Sequence, residues 1–353
     1  MRILHVLKNT NDDICKPYIE FINKNFNPQT HRFMVEIYMG GANNYCADNV
    51  ERIQKKKYLE LIKELGVSDK IIIHGLSSPR LVLILFFQPW LLKKCYWVMW
   101  GGDLYYYRDR EKNFRTNMHE FLRRPIIRKM GNIVALTRGD YQLVKDWYDT
   151  KAKYYQGLYI SNIDLDSIEG LGIPESHGKR NINIQIGNSA TVENNHFEVL
   201  EELVKFKDQD IKIYVPLSYG DMDYAKEVIE YGHSLFEEKF SGVLGHLDYE
   251  KYVRFLNTMD VAIFAPERQQ ALGNIYVLAY LGKKIYIRND ISTWEHLETD
   301  LGVKIFNYSD IKEIEFGDFT YFSEKDKSNN KKNIKRTNDV NEAKKIWEKI
   351  FNE

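Results

Sequence analysis

The chain has 353 residues, with 50 Lys and Arg against 50 Asp and Glu, so its formal charge is zero. A neutral chain is a poor match for a protein that holds nucleic acid mainly by neutralising phosphates. Hydrophobic residues make up 44% and aromatic residues 14% of the chain, which excludes an intrinsically disordered protein and suffices for two folded domains.

Cysteine usage and apolar runs indicate the compartment. Cys15, Cys46 and Cys95 show no CxxC spacing, which favours a reducing compartment and no thiolate metal site. The N-terminal MRILHVLKN is too short in its apolar part for a signal peptide and predicts a first strand. The longest apolar run, residues 81–92, is well short of the ~20 residues that a membrane-spanning helix needs. We therefore expect a soluble, cytoplasmic protein.

Short β-branched or aromatic segments alternate with longer amphipathic ones, which is typical of parallel sheets flanked by helices. Helical patterns cover, for example, residues 51–66 and 196–206. The fold class is therefore predicted to be α/β. The predicted strands form two series: residues 2–7, 32–38, 70–75, 95–100 and 132–137, and then residues 182–187, 211–217, 261–266 and 283–289.

The two series predict two Rossmann-like domains with a cleft between them, over residues 1–163 and 182–338. Residues 164–181 are rich in Gly, Ser, Pro and charge and are predicted to be the linker. Residues 323–339 have the composition of a polar loop, and a final amphipathic helix is expected over 339–353. In such sheets ligands bind beyond the carboxyl ends of the strands, so the strand-to-helix loops are the candidate sites.

The first such loop, WGGDLY, delivers Asp103 after the pair Gly101-Gly102. Glycines allow a sharp turn and close approach to a ligand, so Asp103 is a candidate general base. An N-cap role for the same aspartate is an equally good interpretation. In the next loop, TRGD, Arg138 is a candidate phosphate ligand, and a surface salt bridge is the alternative.

Loops of the second series have the composition of a phosphate site. Gly187, Asn188 and Ser189 follow a predicted strand and precede a helix, which is how a backbone-amide cradle is built. No GxxxxGK[ST] occurs, which argues against an ATPase. The following loop, VPLSYGD, places Tyr219 on the same edge of the predicted sheet.

The loop PERQQALGN puts four polar side chains between a buried strand and an apolar helix. The N-terminus of that helix would favour a diphosphate through its dipole and free N–H groups, and Arg268 would add charge. Candidate donor-binding residues here are Arg268, Gln269, Gln270, Gly273 and Asn274.

Two DxD spacings, Asp164-x-Asp166 and Asp221-x-Asp223, could hold a divalent ion, but their positions favour a structural role. Residues 105–130 mix aromatic side chains with arginines and could face an anionic membrane or a lipid-linked pyrophosphate. A solvated helix face is the alternative for this segment. The candidates on this acceptor or membrane side are Tyr105, Arg108, Arg123 and Arg124.

Taken together, the motifs LHVL, WGGDLYYYR, ALTRGD, IQIGNSATVENNH, VPLSYG and ERQQALGNIYVLAYLGKKIYIRND make the chain similar to a known family. From about residue 2 to about residue 294 it resembles the TDP-N-acetylfucosamine:lipid II N-acetylfucosaminyltransferases, the family-56 glycosyltransferases. Gly102 stands where another member has alanine. Glu267 has no counterpart in that relative, so the resemblance does not support a role for it.

This resemblance implies a GT-B architecture, with an acceptor domain first and the donor nucleotide mostly on the C-terminal domain. It implies an inverting transfer, without metal or other cofactor, from a TDP-sugar to a polyprenyl-pyrophosphate-linked saccharide in bacterial surface polysaccharide synthesis. The enzyme would sit peripherally on the cytoplasmic face of the inner membrane. Asp103, the GNS block and the RQQ block match family motifs.

Alternative functions remain at this stage. One is a glycosyltransferase with a different nucleotide-sugar donor or acceptor, and another is a binding module without activity. A Rossmann-fold oxidoreductase is remote, because HVLKNTNDD offers no GxGxxG after the first strand.

Overall fold

A computed structural model describes residues 1–9, 12–37, 47–53, 57–158, 165–172, 181–245, 247–337 and 339–353. The chain divides into two compact units, one comprising Met1–Asn162 and Val340–Glu353 and the other Ile163–Asp339. Each unit is built on its own parallel sheet with flanking helices, and the predicted α/β class is confirmed.

The first unit has a seven-stranded sheet. Its strands are β1 (Ile3–Asn9), β2 (His31–Ile37), β3 (Val50–Ile53), β4 (Lys70–His74), β5 (Cys95–Val98), β6 (Asn132–Ala135) and β7 (Lys153–Gln156). Every pairing is parallel, in the order β3-β2-β1-β4-β5-β6-β7.

Helices cover both faces of this sheet. They are α1 (Asp12–Asn25), α2 (Tyr58–Val67), α3 (Pro79–Phe87), α4 (Gly102–Asp109), α5 (Phe114–Lys129) and α6 (Arg138–Tyr148), with short 3₁₀ turns at Pro28–Thr30 and Pro89–Lys94.

Side chains of the central strands alternate between two cores, as the period of two along a strand requires. Ile71 and Ile73 pack with α3 and α5 on one face, whereas Ile72 points to the other face. There the C-terminal helix of the chain contributes Trp347 and Phe351. The end of the chain therefore completes the core of the first unit.

The second unit has a six-stranded parallel sheet. Its strands are β8 (Ile182–Ile186), β9 (Ile211–Pro216), β10 (Phe240–Val243), β11 (Val261–Phe264), β12 (Lys284–Ile287) and β13 (Phe306–Asn307), in the order β10-β9-β8-β11-β12-β13.

Helices of this unit, and the C-terminal helix of the chain, complete the fold. They are α7 (Leu165–Gly170), α8 (His196–Leu203), α9 (Met222–Phe236), α10 (Tyr249–Asn257), α11 (Leu272–Tyr280), α12 (Ser292–Glu295), α13 (Phe316–Thr320), α14 (Glu324–Thr337) and α15 (Val340–Asn352). A π-helical turn covers His296–Asp300, and 3₁₀ turns cover Val192–Asn194, Val204–Phe206, Glu237–Lys239 and Tyr308–Lys312.

Both sheets contain a topological switch point beside their first strand. In the second unit the chain proceeds from β8 to β9 on one side and later to β11 on the other. At such a point the loops at the carboxyl ends of the two strands leave in opposite directions and open a crevice for a ligand. The crevice for a ligand is therefore expected at the loops after β8, β9 and β11.

Two sequence-based assignments were wrong. Residues 51–66 were predicted to be helical throughout, but Val50–Ile53 is a strand that pairs with β2, and the helix starts at Tyr58. The predicted loop over 323–339 is mostly helix α14, which buries Ile334 and Asn330. Tertiary hydrogen bonds hold this polar helix, since the Asn330 amide bonds to the backbone N–H and C=O of Lys304 at 2.7 and 2.9 Å.

The predicted linker, residues 164–181, begins with helix α7 rather than with irregular chain. Glu169 of α7 accepts hydrogen bonds from Tyr280 Oη at 2.5 Å and Lys335 Nζ at 2.9 Å, which tie the helix to the second unit. Residues 173–180 of this segment lie outside the described residues. Across the part of the chain that the structure describes, no helix has the length and apolar character needed to cross a bilayer.

Candidate functional site

The loop after β8 turns at Gly187, whose φ is +63°, a region that favours glycine. A β-carbon at this position would lie 2.9 Å from Nε2 of His196 and 3.3 Å from the side chain of Asn194. Steric exclusion and backbone conformation both demand glycine here. The predicted GNS block is thus a tight turn at the carboxyl end of the central strand.

Asn194 is the hub of this loop. Its Nδ2 donates to Ser189 O at 2.8 Å, to Ser189 Oγ at 3.1 Å and to Thr191 Oγ1 at 3.0 Å. Its Oδ1 accepts a hydrogen bond from Gln270 Nε2 at 2.6 Å. Because Gln270 follows β11, a single amide side chain connects the GNS and RQQ blocks.

The loop after β9 joins the same cluster. Asn188 Nδ2 donates to Tyr219 Oη at 2.9 Å. Ala190 N bonds to Tyr219 O at 2.8 Å, and a bridge pairs Ala190 with Gly220. The carboxyl ends of β8 and β9 are therefore held in register, and the ring of Tyr219 remains exposed beside them.

Beyond β11, the chain enters helix α11 through Ala271, which has φ +60°. Gly273 and Asn274 lie in the first turn, where backbone N–H groups have no intrahelical partner. Arg268 precedes this turn, and its Nη1 donates to Gln269 O at 3.4 Å. A guanidinium group and a helix N-terminus thus face the same edge of the sheet, which favours an anion.

Several buried polar atoms around the β8 loop have no hydrogen-bond partner within the described residues. They include Nε2 of His196, Oδ1 of Asn188 and Oε1 of Gln185. Burial lowers the pKa of His196 to about 4, so its imidazole is neutral near pH 7. Its other nitrogen, Nδ1, lies 3.1 Å from Tyr224 Oη. Unpaired buried polar atoms are costly, so this cluster suits a polar ligand or ordered water.

The structure therefore brings Asn188, Ser189, Tyr219 and Gln270 into one hydrogen-bonded cluster beside the turn at Gly187. Arg268, Gln269, Gly273 and Asn274 lie on the adjoining strand-to-helix segment. Sequence reasoning missed Asn194, Asn195 and His196, although the polar run ENNH directly before a helix was the available signal. Asn195 anchors the loop by donating to Ala265 O at 2.8 Å.

In the first unit, Asp103 lies in the first turn of α4 and is only 6% exposed. Its Oδ2 accepts hydrogen bonds from Trp97 Nε1 at 2.6 Å and Leu76 N at 2.9 Å, and its Oδ1 from Trp100 N at 2.9 Å. The carboxylate therefore ties the loops after β4 and β5 together. A carboxylate has about four lone-pair sites, so one on Oδ1 is left for a further donor.

Two residues predicted for the acceptor or membrane side are buried. Arg123 has 0% exposure, pairs with Glu120 at 2.8 Å and donates to the backbone O of Asp103. Tyr105 is 3% exposed and donates to Asp140 Oδ1 at 3.0 Å. These predictions are corrected, because both side chains are held inside the first unit.

The other two predicted side chains are at the surface. Arg108 is exposed, forms an ion pair with Asp109 and lies 5.4 Å from the ring centre of Tyr105. Arg124 is exposed and donates to Trp147 O at 3.2 Å. Arg138, the first residue of α6, is exposed as well.

The DxD spacings show no sign of a metal-binding arrangement in the described side chains. Asp221 caps α9 by accepting from the backbone N–H groups of Asp223 and Tyr224, and Asp223 pairs with Lys226. The side chains of Asp164 and Asp166 lie outside the described residues. Asp221 therefore serves as the N-cap of α9.

Solved structures share this fold over nearly the whole chain. HepE from Anabaena, in complex with UDP and glucose, is 12% identical, covers 99% of each chain and gives a TM-score of 0.68. A glycosyltransferase from Rickettsia africae is 14% identical over 99% of this chain and 97% of that chain, with a TM-score of 0.65. A UDP-forming alpha,alpha-trehalose-phosphate synthase from Burkholderia vietnamiensis is 11% identical over 99% and 95%, with a TM-score of 0.61.

Two parallel-sheet units with these neighbours define the chain as a GT-B protein with two Rossmann-like domains. The model of the family described as 4-alpha-L-fucosyltransferase, glycosyl transferase group 56, matches residues 1–318. The chain belongs to this family and is a glycosyltransferase, which confirms the family and the enzyme class expected from the motifs.

Proposed function

We propose that the enzyme transfers a sugar, of the N-acetylated deoxy type, from a TDP-sugar to a polyprenyl-pyrophosphate-linked saccharide with inversion. The reaction would serve bacterial surface polysaccharide synthesis at the cytoplasmic face of the inner membrane. Support for sugar transfer comes from the family, and support for a nucleoside-diphosphate donor from the UDP bound to HepE, a protein of the same fold.

The observation that carries the proposal is the polar cluster at the switch point of the second sheet. In it, Ser189 and Gln270 are joined through Asn194. The first turn of α11 supplies N–H groups, and Arg268 supplies positive charge beside them. Fixed donors of this kind stabilise the charge that develops on a departing diphosphate, so no metal ion is needed for that task.

We propose Asp103 as the general base that takes the proton from the acceptor hydroxyl. The remaining lone-pair site on Oδ1 is where that hydroxyl would donate. Its three hydrogen bonds also fit a purely architectural role, which favours a second candidate for this residue: a brace for the loops after β4 and β5. Arg138 stays a predicted phosphate ligand.

Thermal-shift and calorimetric titrations of the full chain with TDP, UDP and GDP test the donor. We expect TDP to raise the melting temperature most, since a ligand of the folded state stabilises by mass action. If the three nucleotides raised the melting temperature equally, or not at all, TDP would be rejected as the donor nucleotide.

Transfer is then measured with a TDP-sugar and a polyprenyl-pyrophosphate-linked saccharide, in EDTA and in Mn²⁺. We expect equal rates in both solutions. A strict need for Mn²⁺ would overturn the metal-independent proposal. Binding of TDP without turnover on any acceptor would identify a binding module instead.

A further inference from the structure

Large apolar side chains are exposed along one helix of the first unit. On α5, Phe114, Met118 and Phe121 follow the spacing i, i+4, i+7, so they form one stripe. Their exposures are 83%, 45% and 65%. The opposite side of the helix buries Ile126 and Ile127 in the core. A stripe of this kind is costly in water unless it has a partner.

A neighbouring segment repeats the pattern. Leu83 and Phe87, at i and i+4 on α3, are exposed, and Trp90 in the next 3₁₀ turn is 68% exposed. Helices α3 and α5 pack against each other and bury their other faces in the same core. Both stripes therefore point away from the sheet. We call the six side chains the aromatic face: Leu83, Phe87, Trp90, Phe114, Met118 and Phe121.

The exposed charges within the two segments that carry the aromatic face have one sign. The exposed ionised residues within 79–94 and 114–129 are all basic, and the only acid in the two segments, Glu120, is buried against Arg123. Arg128 is already paired with Asp149. Since the whole chain is neutral, this is a local excess of positive charge. The basic residues are Arg80, Lys93, Arg115, Arg124, Arg128 and Lys129.

We infer that the aromatic face docks on an anionic lipid bilayer, with its aromatic rings at the acyl boundary and the basic residues at the head groups. Phe, Trp and Leu beside Lys and Arg are the composition of interfacial membrane helices. Anionic lipids attract such basic residues, and the cationic border fits that partner. The inference rests on the proposed function, because a lipid-linked acceptor is presented at a membrane. It places the contact on the exposed sides of α3 and α5 instead of on the buried side chains of Tyr105 and Arg123.

Vesicle flotation of the full chain tests this inference. The probes are phosphatidylcholine vesicles with and without phosphatidylglycerol. We expect binding to the anionic vesicles that falls at least 10-fold in Phe87→Ser/Trp90→Ser and in Phe114→Ser/Phe121→Ser. The charge variant Arg115→Glu/Lys129→Glu should lose binding to anionic vesicles only. The matched control is Tyr321→Ser, an equally exposed aromatic residue of the second unit, which should bind as the parent does.

Melting temperature and TDP affinity should be unchanged in these variants, because the substituted side chains are exposed and lie outside the donor site. Transfer to the vesicle-borne acceptor should fall, while transfer to a short water-soluble analogue should not. Unaltered vesicle binding in both aromatic variants would overturn the inference. So would a dimer that these variants dissociate, since a second copy would then occupy the face. Vesicle binding by a chain that does not bind TDP would instead reject the proposed function and leave the docking surface standing.

Discussion

Trp97 Nε1 donates to the Oδ2 atom of Asp103 at 2.6 Å, and both side chains are buried. The indole of a core strand thus orients the carboxylate at the start of the next helix. Two backbone N–H groups, of Leu76 and Trp100, complete its set of donors. This arrangement makes Asp103 important for stability whatever its role in the reaction.

We first predict that Asp103→Asn destabilises the first unit, because its amide N–H₂ would face a donor. Each buried donor left unpaired costs about 1–3 kcal/mol. Calorimetry should show a lower melting temperature with unchanged TDP affinity, since the donor cluster lies in the second unit. The matched variant Trp97→Phe also loses a hydrogen bond but keeps the carboxylate.

Transfer assays on these two variants, at a temperature where both are folded, distinguish a general-base role of Asp103 from a purely structural role. If Asp103 is the base, Asp103→Asn should be slower than Trp97→Phe by on the order of 100-fold. Equal rates in the two variants would leave Asp103 with the bracing role alone.

A second prediction concerns Asn194, whose side chain makes four of the hydrogen bonds described above. Asn194→Ala should release Ser189 and Gln270 and weaken TDP binding about 10-fold or more, a change of ~1.4 kcal/mol. Asn194→Asp keeps an oxygen for Gln270 but replaces the donor to Ser189 with a negative charge beside the proposed diphosphate site, so an affinity at least as low as that of Asn194→Ala is expected. Parent-like affinity in Asn194→Ala, measured by titration calorimetry, would contradict the proposed donor site.

Glycine substitutions provide a third prediction. Gly187→Ala places a β-carbon 2.9 Å from His196 Nε2 at φ +63°, so the loop must move and both stability and TDP affinity should fall. Gly273→Ala is the matched control for stability alone, because a β-carbon there meets nothing within 4 Å and alanine favours a helix by up to ~1 kcal/mol. Chemical denaturation measures the stability of both variants, and titration calorimetry measures the TDP affinity of Gly187→Ala. A Gly187→Ala protein as stable as the parent would refute the steric argument.

The fourth prediction is an acid-induced loss of stability in the first unit. Nε2 of His5 lies 3.0 Å from Nδ1 of His31, and Nδ1 of His5 lies 3.5 Å from Nε2 of His74. This buried cluster contacts the rings of Trp347 and Phe351. Burial lowers the pKa of His31 to about 4 and that of His74 to about 3, from 6.5. Between pH 6.5 and about 4, these histidines take up protons in the unfolded chain but not in the folded one. Their contribution to stability is therefore fully present above pH 6.5 and declines as the pH falls toward 4.

At pH 5.5 each such histidine should lower the free energy of unfolding by about 1 kcal/mol relative to neutral pH. Tryptophan emission during urea unfolding measures this in the first unit, which holds every tryptophan except Trp294. His31→Phe keeps a ring beside Phe351 but cannot be protonated, so its pH dependence should be flatter. An equal slope in this variant would show that other groups cause the acid sensitivity.

Hydrophobic periodicity and composition were sufficient for the fold class and the two series of central strands. Runs such as KIIIH and VAIF are buried on both faces of a parallel sheet, so nearly every residue is apolar and the signal is strong. Edge strands such as Phe240–Val243 escaped notice because four residues with mixed exposure carry no clear period. Helix α14 was missed because tertiary contacts, rather than an apolar stripe, hold it.

For the site, the sequence by itself determined which loops carry polar residues. In a chain of alternating strands and helices, the strand-to-helix loops lie at one edge of each parallel sheet. Only the tertiary structure decided what each side chain does there. Asn194 became a hub and Arg123 was buried, since hydrogen bonds between residues distant in sequence depend on strand order and loop geometry. Those distances cannot be read from the spacing of residues along the chain, because strand order and loop geometry in the folded protein set them.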